Sequence, residues 1–119
     1  MRRFGCLISP VAGLLTTFVG VFLIARLWDA CDAGINDSAN SYGLVPYAAL
    51  LLLVTTAWWA ITIGAVSPRS PVLALSGALL GSLLLLWAFV AVLYRSGEYL
   101  SVQCWPGRDP SWWPAWIPI

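Results

Sequence analysis

The chain has 119 residues, of which 61% are hydrophobic and 9% are charged, whereas about 25% of an average soluble chain is charged. A soluble domain of this size leaves much of its surface in water, and so few charges cannot cover that surface. The net charge of +1 excludes the basic excess that nucleic-acid binding requires. The chain also lacks His, the commonest general base and metal ligand. We therefore expect an integral membrane protein that is not an enzyme and holds no metal.

Three apolar blocks predict an all-α membrane protein with three transmembrane helices. The blocks cover residues 8–27, 44–66 and 71–94, and each can cross a hydrocarbon core of about 30 Å, which takes roughly 20 helical residues. In lipid each block must be helical, because only a helix satisfies its own backbone within one segment. Only residues 67–70 separate the second and third helices, so these two are expected to form a tight antiparallel hairpin.

Prolines mark the expected helix starts. Ser9-Pro10 precedes or opens the first block, and Ser70-Pro71 opens the third. In both pairs Ser is placed to cap the helix, and Pro to occupy its first position. Pro46 is expected to play the same part for the second helix. The first block exceeds the usual apolar core of a signal peptide and no A-x-A site follows it, so we expect a retained helix.

The positions of the arginines predict the orientation. Arg2 and Arg3 precede the first helix and Arg69 lies in the short link, while the opposite side holds the other Arg residues and every acidic residue. The basic residues are tied between the sides, but those flanking the first helix usually dominate. All basic residues are Arg, which is typical of a GC-rich genome and favours a bacterial inner or plasma membrane. We expect a cytoplasmic amino terminus (1–7), an outer loop (28–43) and an extracytoplasmic tail (95–119).

The cysteines fall on both predicted sides of the membrane. Cys31 lies in the outer loop and Cys104 in the outer tail, whereas Cys6 lies at the cytoplasmic end. The two outer cysteines favour a disulfide, which would close a loop of about 70 residues and stabilise the fold by roughly 4 kcal/mol. Two free thiols or a redox-active pair are the alternatives, and the absence of a C-x-x-C motif and of His speaks against redox chemistry.

Small residues four positions apart occur on two of the predicted helices. Gly77 and Gly81 form a G-x-x-x-G motif on the third helix, and Thr56, Ala60 and Gly64 form a similar line on the second. Such faces let helices approach closely in lipid. Either the two lines pack on each other, or one of them docks onto a partner protein.

Arg26 is the one charged residue expected within a helix. It lies one turn from the outer end, where its stem can extend to the headgroups, and Asp29 follows three residues later as an ion-pair partner. Trp58 and Trp59 lie well inside the second helix. Adjacent helical positions point about 100° apart, so at least one indole should face lipid, a bound pigment or quinone, or another subunit. No cofactor is assigned.

The predicted tail is rich in Trp and Pro. Its proline spacing excludes a helix and favours an extended or polyproline-like chain. So many apolar side chains need cover, either in the outer headgroup layer or in a groove on another protein, and Trp is enriched in binding hot spots. The candidate docking residues are Trp105, Trp112, Trp113 and Trp116.

These features favour a non-enzymatic accessory subunit of a larger membrane complex (respiratory, photosynthetic or transport-related), with lipid and other integral membrane subunits as partners. A self-assembling channel or transport component is the first alternative. Its pore would need polar residues, and the candidates are Thr16, Thr17, Thr55, Thr56 and Thr62. An immunity-type protein that captures an extracellular ligand with its loop and tail is the second.

Alkylation followed by mass spectrometry tests the Cys31–Cys104 bridge. The unreduced, denatured chain should take up one alkyl group, at Cys6, and the reduced chain should take up a group at every cysteine. In the control variant Cys31→Ser, Cys104 should react without reduction, because its partner is gone. Alkylation of Cys31 and Cys104 in the unreduced chain would show that no bridge forms.

Overall fold

A computed structural model describes residues 2–30, 37–95 and 112–119. Its three helices are α1 (Arg2–Ala30), α2 (Asp37–Val66) and α3 (Pro71–Arg95), and regular structure in the described residues is entirely helical.

All three helices are long and apolar enough to cross a membrane. The candidate spans are Phe4–Asp29, Tyr42–Val66 and Pro71–Tyr94, with mean hydropathies of 2.2, 2.0 and 2.2. Most of the large apolar side chains along them are exposed, and exposing them to lipid costs nothing, whereas exposing them to water would. The helical fold and its three candidate spans therefore agree with the prediction of a transmembrane protein.

Two of the predicted helix starts are wrong. α1 begins at Arg2 and α2 at Asp37, so that Pro10 and Pro46 lie inside their helices. Proline is tolerated inside a helix in lipid where neighbouring groups satisfy the carbonyl that it leaves unpaired. Ser9 does not cap α1; it is buried, and its hydroxyl donates to the carbonyl of Gly5 at 2.7 Å.

The segment between α1 and α2, predicted as an outer loop over residues 28–43, is shorter than predicted at both ends. Residues 28–30 continue α1 and residues 37–43 begin α2, although both stretches are polar enough to favour a loop. α1 has 29 residues and α2 has 30, so at 1.5 Å per residue each exceeds the roughly 30 Å of a hydrocarbon core. The polar ends of both helices therefore have the length to extend into the headgroup layer.

The third helix start is as predicted. α3 begins at Pro71, and the hydroxyl of Ser70 accepts a hydrogen bond from the backbone N–H of Leu73 at 3.3 Å. A Ser that bonds the third helical N–H is a helix cap. The preceding turn is closed by the N–H groups of Arg69 and Ser70, which both donate to the carbonyl of Val66 at 3.0 Å.

Glycines bring α1 against its neighbours. A Cβ on Gly13 would overlap the hydroxyl of Thr56 and would lie 3.2 Å from the carbonyl oxygen of Leu52. A Cβ on Gly20 would lie 3.1 Å from both Leu51 and Phe89. Because Leu51 belongs to α2 and Phe89 to α3, Gly20 lies where all three helices meet.

The core is concentrated where α1 and α3 end, which we call the tail end of the bundle. The opposite end, which holds residues 67–70, is the turn end. The buried core cluster combines residues of all three helices: Ile24, Leu27, Leu51, Phe89, Val90, Leu93 and Tyr94.

Alanine substitution of two glycines tests the helix packing. Gly13→Ala should lower the free energy of unfolding by about 1–3 kcal/mol, because the new methyl group meets the Leu52 backbone. Gly64→Ala is the matched control: open space surrounds Gly64, so this change should be neutral or stabilising by up to about 1 kcal/mol. Thermal unfolding of both purified variants in detergent, followed by circular dichroism, measures the difference; equal effects would refute the close contact at Gly13.

Candidate interaction surfaces

The described part of the tail, residues 112–119, forms a turn and not the extended chain that the prolines predicted. The backbone N–H of Ile117 donates to the carbonyl of Pro114 at 3.0 Å. The indole N–H of Trp113 donates to the carbonyl of Ile117 at 2.9 Å and reinforces the same turn. Proline excludes helix here as expected, and the two hydrogen bonds hold residues 114–117 in a turn, with Pro114 at its first position.

The tail turn packs on the helices of its own chain. Trp113 and Ile119 pack against the core cluster. The indole N–H of Trp87, on α3, donates to the carbonyl of Pro118 at 2.7 Å. Sequence reasoning assigned the tryptophans of the tail to lipid or to another protein and linked the tail to the first helix only through the Cys31–Cys104 bridge; in the structure, part of the tail covers the tail end of the bundle.

Two of the predicted docking tryptophans remain available to a partner or to lipid. Trp116 is 81% exposed and Trp112 is 49% exposed. Trp112 meets Trp113 edge-on, with ring centroids 5.9 Å apart, so its position depends on a residue that is itself packed on the core cluster. Trp105 lies outside the described residues, as do Cys31 and Cys104, whereas Cys6 is an exposed free thiol.

Arg26 and Asp29 line one pocket at the tail end. The pocket has a volume of about 380 Å³, and its described lining residues are Phe22, Leu23, Arg26, Asp29 and Trp112. The guanidinium carbon of Arg26 lies 5.5 Å from the centroid of the Phe22 ring, a cation–π distance. Within the described part of the chain, no salt bridge joins Arg26 to Asp29. The structure thus brings the expected pair into one pocket without direct contact.

Trp58 and Trp59 both contact α3, but in different ways. Trp59 is 7% exposed, and its indole N–H donates to the hydroxyl of Ser82 at 2.7 Å, which in turn donates to the carbonyl of Ala78 at 3.0 Å. Trp58 is 39% exposed, and its N–H lies 3.3 Å from the carbonyl oxygen of Gly77. Its ring occupies the space that a Cβ on Gly81 would fill.

The two predicted small-residue lines do not pack on each other. Gly77 and Gly81 face the side chains of Trp58 and Thr62, so large and small residues interlock on that side. Thr56 instead lies against Gly13 of α1.

The rest of the α2 line faces away from the described helices. Ala60 and Gly64 are exposed, and no atom of the described residues lies within 4 Å of a Cβ placed on Gly64. The second interpretation of the line, docking onto a partner, therefore remains a prediction for these two residues.

An apolar groove runs between α2 and α3. Near the turn end it has a volume of about 570 Å³, and a second section of about 250 Å³ continues toward the tail end. Val54 and Leu85 line both sections, which makes the groove continuous. Its larger section is lined by Val54, Ala57, Trp58, Ile61, Gly77, Leu80, Gly81, Leu84 and Leu85.

Three of the five threonines proposed for a pore have hydroxyls that are buried or bonded within the bundle. The hydroxyl of Thr62 donates to the carbonyl of Trp58 at 2.7 Å. The hydroxyls of Thr17 and Thr55 are buried and have no hydrogen-bond partner among the described residues, and Thr55 is fully buried. Such hydroxyls are not placed to line a channel between copies of the chain. No group of metal-ligating residues occurs in the described ranges.

Comparison with known proteins yields no match: no family model, no curated protein and no solved structure is similar to this chain. The interaction surfaces must therefore be interpreted from their own residues.

Sequence reasoning missed three contact residues. Gly13 and Gly20 are seven positions apart on the first helix, a spacing that places both on one face, and this signal was available. Trp87 could be assigned to a helix but not to the tail, because its bond to Pro118 depends on the tail turn.

A serine substitution tests the buried bond between α2 and α3. Ser82→Ala should destabilise the chain by about 1 kcal/mol, because the indole N–H of Trp59 loses its acceptor in a dry interior. Ser76→Ala, an exposed serine of the same helix, is the control and should have no measurable effect. Unfolding in detergent by titration with a denaturing surfactant measures both; identical transitions would contradict the assigned bond.

Proposed function

We propose that this chain is a non-enzymatic accessory subunit of a larger membrane complex. Its partners are other integral membrane subunits, and the complex is respiratory, photosynthetic or transport-related. The proposal includes a bacterial inner or plasma membrane, a cytoplasmic amino terminus, an extracytoplasmic tail, and α2 and α3 as a tight antiparallel hairpin.

The observation that carries the proposal is the exposed small-residue face of α2. Within the spans, most glycines have a side chain of another helix within 4 Å of the Cβ position, whereas Gly64, and Gly43 at the end of its span, have no such neighbour among the described residues. A glycine exposed to lipid forgoes the dispersion contacts that a larger side chain would make. Small residues four apart are typical of helix–helix interfaces in membranes. Ala60 and Gly64 therefore suit a helix of another subunit.

The neighbouring groove extends this face. Ala57 and Ile61 line the groove and lie within one turn of Ala60 and Gly64. We call these four residues the α2 docking face. A partner helix lying on it would contact small residues on one side and fill the apolar groove on the other, so that close backbone approach and side-chain packing support each other.

The exposed tryptophans support a second contact outside the hydrocarbon core. Trp116 projects from a turn whose geometry is held by hydrogen bonds within the tail and to α3. A rigid, exposed indole costs little entropy to bury in an interface. On this proposal the membrane-spanning partner contacts the α2 docking face, and its extracytoplasmic surface contacts Trp116.

Co-purification in mild detergent tests the proposal. The wild-type chain should elute with other membrane subunits, and Ala60→Leu or Gly64→Leu should release it, because a larger side chain blocks close helix approach. Ala25→Leu makes a comparable change at an exposed position of α1 and should leave the complex intact. Purification of the wild type as a lone monodisperse species of 12.9 kDa would refute the proposal.

The same experiment distinguishes self-association. If the α2 docking face joins two copies of this chain, cross-linking gives a defined homo-oligomer that Gly64→Leu dissociates, and no other subunit is present. That outcome would overturn the accessory-subunit proposal in favour of the self-assembling alternative.

A further inference from the structure

We propose that the pocket formed by Arg26, Asp29 and Trp112 binds the headgroup of a zwitterionic phospholipid. The lipid phosphate lies on the Arg26 guanidinium, and its ammonium group lies between the Asp29 carboxylate and the Trp112 ring. This inference does not rest on the accessory-subunit proposal, because it involves no residue of the α2 docking face.

The position of the pocket along α1 matches the polar boundary of a bilayer. The span of α1 is Phe4–Asp29, so Arg26 and Asp29 occupy its last turn, where headgroups lie. Phe22 and Leu23 line the same pocket one turn deeper, on the hydrocarbon side. A site with charges at its mouth and apolar side chains below them matches the two ends of a phospholipid, and does not match a free, water-soluble phosphate.

The charges of the pocket favour a zwitterion. The two side chains share the pocket without a salt bridge to each other among the described residues. The guanidinium carbon of Arg26 lies 5.5 Å from the centroid of the Phe22 ring, and since a guanidinium carries five N–H donors, this contact leaves donors for a phosphate. Asp29 offers a carboxylate to a cation. A bound phosphate and ammonium would satisfy both charges, whereas a purely anionic headgroup would satisfy one and be repelled by the other.

Trp112 supplies the third side of the pocket. Aromatic faces attract ammonium groups, and Trp is the residue that best occupies the membrane interface. Trp112 reaches the pocket because Trp113, its edge-on neighbour, packs on the core cluster. The pocket volume of about 380 Å³ is within the usual range for small-molecule sites, about 300–1,000 Å³, and suits one headgroup.

Native mass spectrometry of the full chain tests the site. Detergent-solubilised protein is titrated with phosphatidylethanolamine, phosphatidylcholine and phosphatidylglycerol. We expect the two zwitterionic lipids to bind more tightly than the anionic one, and Arg26→Gln to weaken their binding roughly tenfold through loss of the phosphate contact. Arg69→Gln, at an exposed arginine of the turn end, is the control and should bind as the wild type does.

Asp29→Asn gives the decisive measurement, because it tests selectivity and not only affinity. Removing the carboxylate should shift the preference roughly tenfold toward phosphatidylglycerol, since the pocket then carries a net positive charge. A structural role of Asp29 would change all three affinities alike. Unchanged selectivity in Asp29→Asn, or equal binding of the three lipids to the wild type, would overturn the proposal even if Arg26→Gln failed to fold. Tighter binding of phosphatidylethanolamine than of phosphatidylcholine would identify an N–H donor to Asp29.

Discussion

Close approach of helices at glycine is the constraint on which this fold depends. In lipid, apolar side chains gain nothing by leaving the solvent, so helices associate through packing and a few hydrogen bonds. Gly13 and Gly20 let α1 pack closely against α2 and α3, and Gly81 leaves space for the Trp58 ring. Trp59 adds a buried bond to Ser82. These contacts occur on different faces of α2, so α2 packs against both α1 and α3.

The helices were predictable from the sequence and their ends largely were not. Long apolar blocks determine helix in lipid because nothing else satisfies the backbone. The prediction at Ser70-Pro71 was confirmed because a short link leaves the helix no room to extend. Pro10 and Pro46 were placed at helix starts by a rule that holds in water, where an unpaired carbonyl is readily solvated. Inside a membrane helix, neighbouring groups can satisfy the carbonyl that proline leaves unpaired, so the helix can continue past the proline.

The sequence indicates which residues form the interaction surfaces, but it does not indicate which of these residues contact each other. The G-x-x-x-G motif pointed to Gly77 and Gly81 as packing residues, but a motif does not identify the neighbouring residue, and the side chain found there is Trp58. The angle between adjacent helical positions predicted that at least one of Trp58 and Trp59 would face lipid, a cofactor or another subunit, and Trp58 is 39% exposed whereas Trp59 is 7% exposed. The docking of Trp113 depends on residues brought together from three helices, so no local pattern in the tail could show it.

That docking has a consequence for how the chain is made. Trp113 packs against a cluster that combines residues of all three helices, among them Ile24 of α1 and Phe89 of α3, and this cluster does not exist until the three helices have packed together. The tail turn can dock only then. Docking of Trp113 is therefore a sign that the three-helix bundle has assembled.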